Sequence, residues 1–192
     1  NFNLEKHIPS QAGLGGGSSD ATYTLRLLNK LCQLNLNSAT LHQYAVRLGA
    51  DCAFFVTATP AFATGIGDIL EPMNAECAHL HGMYLLIVKP TVAISTAQAF
   101  AFVKPQPTLI KCKDIVAQPV NSEWRNHLTN NFEVSAFKLH PEMHTIKEQL
   151  YNMGALYAQM SGSGSAFFGI FNTPPTLTAN HFNGMFTYLC QL

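Results

Sequence analysis

Ser10-Gln11-Ala12-Gly13-Leu14-Gly15-Gly16-Gly17-Ser18-Ser19-Asp20 is the stretch on which the reading of this chain turns. Its glycines lack Cβ atoms, so the backbone there can approach a ligand closely and adopt positive φ angles. A helical pattern follows directly over Ala21 to Leu34, with Tyr23, Leu27, Leu28, Leu31 and Leu34 among its apolar positions. A helix start directs unpaired N–H groups and the positive end of its dipole at whatever lies before it. Glycine run and helix start together make an anion site, most naturally for the phosphates of a nucleotide. Ser18 and Ser19 add hydroxyls able to bind phosphate oxygens or Mg²⁺. A flexible linker is the bland alternative, and an amphipathic helix joined directly to the glycines argues against it.

Two familiar phosphate loops do not fit. A Walker A loop needs Lys before its Ser or Thr, and here Gly17 precedes Ser18. A dinucleotide fingerprint needs Gly where Ser18 stands, and an acidic residue about 20 positions on, where this chain reads Asn35-Leu36-Asn37-Ser38.

Outward from the glycines, Asn1 to Ile8 alternates polar and apolar residues and predicts a strand, ended by Pro9. Downstream, Ser38 to Leu48 predicts a second helix with Ser38 as N-cap and Gly49 as its stop. Asp51 to Val56 is short and apolar, and Ala61 to Ala63 leads into a turn at Gly65-Ile66-Gly67. A boundary falls near residues 73 to 82. Beyond it, Tyr84 to Val88 predicts a buried strand and Ser95 to Val103 a helix capped by Ser95. Val103 to Val120, with three prolines, predicts a loop or linker. Helices then fit Ser122 to Asn130, Phe132 to Leu139 and Pro141 to Met153. The end predicts strands at Leu156 to Met160 and Ala166 to Phe171, a helix near Pro175 to Phe182, and a strand at Phe186 to Cys190. The class is α+β, with helices on one face of a sheet in the second half.

Composition narrows the function further. Of 192 residues 47% are hydrophobic, and 11 basic residues balance 11 acidic ones, which argues against a nucleic-acid binder. No membrane partner is expected either, since the longest apolar run, Met83 to Val88, is too short to span a bilayer. Residues 1–9 lack the basic and apolar regions of a signal peptide, and the absence of an initial Met suggests a fragment. The five cysteines stand singly, which reads as reduced thiols in a cytoplasmic protein, each more a small hydrophobe than a ligand. No metal-binding cluster is expected.

Pro9 and Gly13-Leu14-Gly15-Gly16-Gly17-Ser18-Ser19 resemble the second signature of the GHMP kinases. Asp20-Ala21, Leu48-Gly49-Ala50-Asp51, Phe54-Phe55 and Gly65-Ile66-Gly67-Asp68-Ile69-Leu70 follow in the order found in the diphosphocytidyl-methylerythritol kinases of isoprenoid precursor synthesis. The third signature is similar to Met160-Ser161-Gly162-Ser163-Gly164-Ser165-Ala166-Phe167-Phe168-Gly169. The resemblance implies a two-lobe fold: a partial ribosomal-S5-like N-terminal lobe over 1–78 and a ferredoxin-like lobe over 79–192, with the active site between them. It implies transfer of the γ-phosphate of ATP, with Mg²⁺, to the 2-hydroxyl of 4-diphosphocytidyl-2-C-methyl-D-erythritol.

Residue by residue, the resemblance puts Asp51 at the catalytic aspartate, where a carboxylate can accept the hydroxyl proton. Gly13, Leu14, Gly15, Gly16, Gly17, Ser18 and Ser19 cradle the triphosphate, and Lys6 falls on a position that contacts the nucleotide. Thr96 falls on a substrate contact and Phe100 on an aromatic that stacks on cytosine, its alternative being a core residue beside Phe102. Ser161 to Gly164 resemble a second turn that closes the phosphate site. The family's catalytic lysine and much of its cytidine clamp precede the phosphate loop, outside this chain, so the fragment alone is expected to be a poor catalyst. Asn131 stands where many members have Asp, so only a structural role is expected of it, and Ala97 replaces a proline. The residues leave two alternatives open: another GHMP kinase, of homoserine or mevalonate type, and a nucleotide-binding module without catalysis.

Overall fold

A computed structural model describes residues 3–104, 110–178 and 181–192. Two compact units result, one of Gly15–Ala78 and one that joins the residues up to Leu14 with His79–Leu192.

In the unit Gly15–Ala78, α1 (Gly16–Leu31) begins inside the glycine run, five residues before its apolar pattern. Gly15 takes the N-cap at φ 65°, and the Ser19 N–H closes the first turn on the Gly15 carbonyl at 2.8 Å. Glycines have no side chains to display a period, so the sequence pattern cannot reveal this turn. The helix also stops three residues short of Leu34. The Asn29 side-chain amide bonds both the N–H and the carbonyl of Leu36, folding the chain back. α2 (Ser38–Leu48) has the expected span, but its cap is Asn37, whose Oδ1 accepts the Thr40 N–H at 2.9 Å. Two 3-10 turns, Ala50–Cys52 and Phe54–Val56, follow Gly49. A hairpin of β1 (Ala61–Thr64) and β2 (Ile69–Pro72) completes the unit, with Thr64 opposite Ile69.

The other unit is built on an antiparallel sheet of β3 (Tyr84–Lys89), β4 (Tyr157–Met160), β5 (Phe167–Phe171) and β6 (Phe186–Gln191). The strands lie in the order β4-β5-β3-β6, the ferredoxin-like arrangement, with Tyr84 between Phe171 and Gln191. Between β3 and β4 run α3 (Thr96–Phe100), α4 (Cys112–Val116), α5 (Ser122–His127), α6 (Glu133–Leu139) and α7 (Met143–Asn152). Strand alternation divides the apolar residues between two faces. Leu86, Val88, Met160 and Phe167 pack with Met143, Ile146 and Leu150 of α7. Leu85, Tyr157 and Ile170 pack with Ile115 and Trp124 of α4 and α5.

Several expectations are corrected. Residues 3–8 form no strand; among the described residues nothing ladders with them, and pairing starts only at Gln11 and Ala12. The segment between Val103 and Val120 contains α4, while its residues 105–109 lie outside the described ones. The three helices expected at Ser122 to Asn130, Phe132 to Leu139 and Pro141 to Met153 exist but are shorter. No helix forms over the described part of 175–182. There His181 Nδ1 accepts the Thr178 N–H at 3.2 Å, and Phe182 sits at φ 53°, outside the right-handed helical region. Among the described residues no helix is long and apolar enough to cross a membrane.

Candidate active site

The first turn of α1 carries Gly16, Gly17 and Ser18, whose N–H groups have no acceptor within the helix, and the Gly15 cap has no side chain to satisfy them. Phe55 fixes the cap: a Cβ on Gly15 would stand 3.0 Å from its ring. In the same unit the 3-10 turn carrying Asp51 is tied to α1. The buried Thr22 hydroxyl, one turn beyond Ser18, donates to the Cys52 carbonyl at 2.9 Å. Asp51 is exposed, and the hairpin turn lies near it, a Cβ on Gly67 falling 3.8 Å from Asp51 Oδ1. Asp51 is the middle residue of the 3-10 turn Ala50–Cys52, which follows the Gly49 N-cap. The helix start and the carboxylate therefore belong to one rigid piece of backbone.

The other unit holds the remaining expected residues. Gly13 adopts φ +70° against the turn of residues 161–164; a Cβ there would lie 2.0 Å from the Ser161 carbonyl oxygen, so only glycine fits. Ser161 Oγ donates to the Gly13 carbonyl at 2.8 Å, and the Ala166 N–H donates to the Ala12 carbonyl at 3.0 Å. Leu14 lines an apolar cavity of about 500 Å³ with Ile8, Pro9, Ile87, Phe186 and Tyr188. Lys6 is exposed two residues before Ile8. Ser95 caps α3 through a complete capping box with Gln98. Thr96 and Phe100 are both exposed on that helix. Phe100 keeps 60% of its surface exposed and meets Phe132 edge-on at 4.8 Å, so it is not a core residue.

Sequence reasoning missed a polar cluster beneath the 161–164 turn. Asn130 Nδ2 donates to the carbonyls of Met160 and Gly162 at 2.8 and 2.7 Å. Glu133, 9% exposed, accepts the Met160 N–H at 3.0 Å and pairs with Lys147 at 2.8 Å. The signal was present in Asn130-Asn131-Phe132-Glu133, but attention to the Asn131 substitution drew the eye from Asn130 and Glu133. Lys89 was also missed. Its buried ammonium donates to the carbonyls of Pro90 and Val92 at 2.6 and 2.8 Å, bracing the loop that leads to Thr96, and burial lowers its pKa.

The family model for the GHMP kinases N terminal domain matches residues 1–59, and that for the GHMP kinases C terminal matches 111–179. Both family models thus match within one chain. A curated relative from Bacteroides fragilis is 47% identical over 98% of this chain and 68% of its own length. One from Bacteroides thetaiotaomicron is 50% identical over 92% and 63%. Each is named 4-diphosphocytidyl-2-C-methyl-D-erythritol kinase. A crystal structure of 4-(cytidine 5'-diphospho)-2C-methyl-D-erythritol kinase has a TM-score of 0.70 at 32% identity, over 89% of this chain and 61% of that one. A homoserine kinase from Cytophaga hutchinsonii has a TM-score of 0.63 at 16% identity, a likeness of fold alone. The chain belongs to the GHMP kinases and, within them, to the 4-diphosphocytidyl-2-C-methyl-D-erythritol kinase family. It spans about two thirds of the length of these relatives.

Proposed function

We propose that this protein contributes the phosphate loop, the acceptor-side base and part of the substrate clamp to an ATP-dependent kinase. Its acceptor is the 2-hydroxyl of 4-diphosphocytidyl-2-C-methyl-D-erythritol, in isoprenoid precursor synthesis. The observation that carries this reading is the joined geometry of the uncapped glycine start of α1 and the Asp51 turn, tied through Thr22 and Cys52. Free N–H groups at Gly16, Gly17 and Ser18, with the hydroxyls of Ser18 and Ser19, suit the phosphates of ATP. Asp51 accepts the proton of the attacking hydroxyl. Gly13, Leu14 and Lys6 continue the nucleotide site, while Thr96 and Phe100 meet the cytidylyl end of the acceptor.

Mg²⁺ fits this chemistry as an ion carried largely by the phosphates. Among the described residues no three acidic, His or Cys side chains gather to hold a metal, and Mg²⁺ commonly binds through one or two protein groups plus phosphate oxygens. When bound it would supply charge neutralisation on the transferred phosphoryl group, and the Ser18 and Ser19 hydroxyls would help to hold it. The five unpaired cysteines are consistent with a cytoplasmic setting. Identity of 47% to the cytidylyl kinases against 16% to a homoserine kinase favours the cytidylyl acceptor.

Phosphate transfer from γ-labelled ATP by the full-length kinase tests the reading, with the cytidylyl alcohol, homoserine and mevalonate offered separately. Label is expected on the first alone. Label on homoserine or mevalonate overturns the acceptor assignment, and saturable ATP binding with no transfer at all leaves a nucleotide-binding module.

Phe100 gives a narrower prediction. Phe100→Ala is expected to cost about 1–3 kcal/mol of base stacking, or about 5- to 150-fold in acceptor KM. ATP affinity should be unchanged, because the lost stacking is a contact with the acceptor alone. Phe100→Tyr should retain the KM. Steady-state kinetics with each substrate varied in turn checks both, and a large fall in Tm with KM unmoved would mark Phe100 as structural.

A further inference from the structure

We propose that Asn130 and the Glu133–Lys147 pair are positioning residues for the nucleotide site, acting through the turn of residues 161–164 on Gly13. The inference rests on the reading of the glycine-rich stretch as a phosphate site, and adds to it residues of the α5–α6 connection and of α6 and α7.

The turn is fixed from both ends. At Met160 the N–H is held by Glu133 Oε1 and the carbonyl by Asn130 Nδ2, so neither the strand end nor its register can slip. Two residues on, the second proton of the Asn130 amide takes the Gly162 carbonyl. Asn130 Oδ1 in turn accepts the Phe132 N–H at 2.9 Å. Both donors and the acceptor of this one amide are used, which sets its orientation: a flipped amide would press Oδ1 against a carbonyl. Glu133 is itself held from two sides. Lys147 Nζ lies 3.1 and 2.8 Å from its two oxygens and 3.0 Å from Gln159 Oε1. Removing Lys147 would leave a nearly buried carboxylate without its counter-charge, and Met160 without a fixed acceptor.

The upper side of the turn meets the glycine-rich stretch. Ser161 Oγ grips the Gly13 carbonyl, a Cβ on Gly162 would lie 3.1 Å from the same oxygen, and Gly13 has no room for any side chain against Ser161. The position and the left-handed φ of Gly13 are therefore dictated by the turn, and the turn is dictated by Asn130 and Glu133. Phosphate sites made of backbone N–H groups depend on the directions of successive peptides. A shift of about 1 Å at Gly13 turns its own peptides away from the phosphates and weakens binding without removing any group that touches the ligand.

The test measures ATP affinity by titration calorimetry, and the KM for ATP and kcat, in Asn130→Ala, Lys147→Met and Ser161→Ala. Ile115→Val, a core change in α4 on the other face of the sheet, is the control for loss of stability. The expected result is a tenfold or greater weakening for ATP in Asn130→Ala and Lys147→Met, with kcat at saturating ATP within about threefold of the parent. Ser161→Ala, which removes only the hydroxyl bond to Gly13, covers the case in which the other two fail to fold. It should weaken ATP several-fold, and Ser161→Thr, keeping a hydroxyl, should restore it. The control should lower Tm and leave ATP affinity unchanged. ATP affinity within twofold of the parent in folded Asn130→Ala and in Ser161→Ala overturns the proposal. Equal weakening by the Ile115→Val control overturns it too, by reducing the effect to stability. Failure of the parent protein to bind ATP overturns the phosphate-site reading itself.

Discussion

Asp51→Asn in the full-length kinase is expected to lower kcat by about 100- to 10,000-fold, the range over which a positioned general base contributes. The substitution keeps the shape of the side chain and removes its ability to accept a proton. Asp51 is exposed on the 3-10 turn Ala50–Cys52, and the turn's own anchor is the Cys52 carbonyl on Thr22, which Asn leaves intact. Binding of ATP and of the acceptor should therefore persist while the chemical step fails. Single-turnover kinetics alongside equilibrium binding checks this. Phosphoryl transfer through a loose transition state leans less on a base than acyl transfer does. A fall of only tenfold would accordingly assign Asp51 to orienting the hydroxyl, and weakened binding with normal kcat would remove it from the chemistry.

Phe167→Ala is expected to destabilise the protein by about 3–5 kcal/mol, the cost of deleting a large aromatic side chain from a packed core. Phe167 has no exposed surface, stands opposite Val88 and Met160 in the sheet, and stacks nearly parallel on Phe137 at 6.2 Å. Its ring fills the space between the sheet and the helices, and neighbouring strands cannot collapse into the gap without breaking their ladders. Urea unfolding followed by circular dichroism should show a lower midpoint, with Tm falling on the order of 10 °C. Val134→Ala, at a position 60% exposed on α6, should stay within about 0.5 kcal/mol of the parent. A comparable loss at both positions would contradict the assignment of the core.

The four strands of the large sheet were readable as short apolar runs, because Tyr84 to Lys89 and Phe167 to Phe171 carry apolar side chains toward both faces. The span of α2 was readable for a related reason, an apolar stripe bounded by Gly49. Its cap was misplaced by one residue, since Asn37 and Ser38 are both good caps and only geometry decides between them. The start of α1 was hidden because glycines carry no pattern, and the failed helix near Pro175 was lost to a local bond between Thr178 and His181. Residues 3–8 show the limit most clearly: alternation declares that a strand is possible, but pairing requires a partner. Of the candidate site, the glycine stretch stood out because glycines lead directly into a helix, whereas Asp51 was picked out only by the family resemblance. Asn130, Glu133 and Lys147 were not, because their meaning lies in bonds to residues some 12 to 32 positions away.

The bond from Ser161 to Gly13 also has a consequence in time. It joins positions 148 residues apart, and β3 must wait for β6 to gain its second neighbour. Contacts of such separation form late, because a long loop must close before any of them is rewarded. A ribosome would have to deliver residues beyond Ala166 before Gly13 could acquire its final conformation. Nucleotide binding should thus appear abruptly once the 161–164 turn has been made, and nascent chains arrested before that turn should be blind to ATP while α1 and α2 have already coiled.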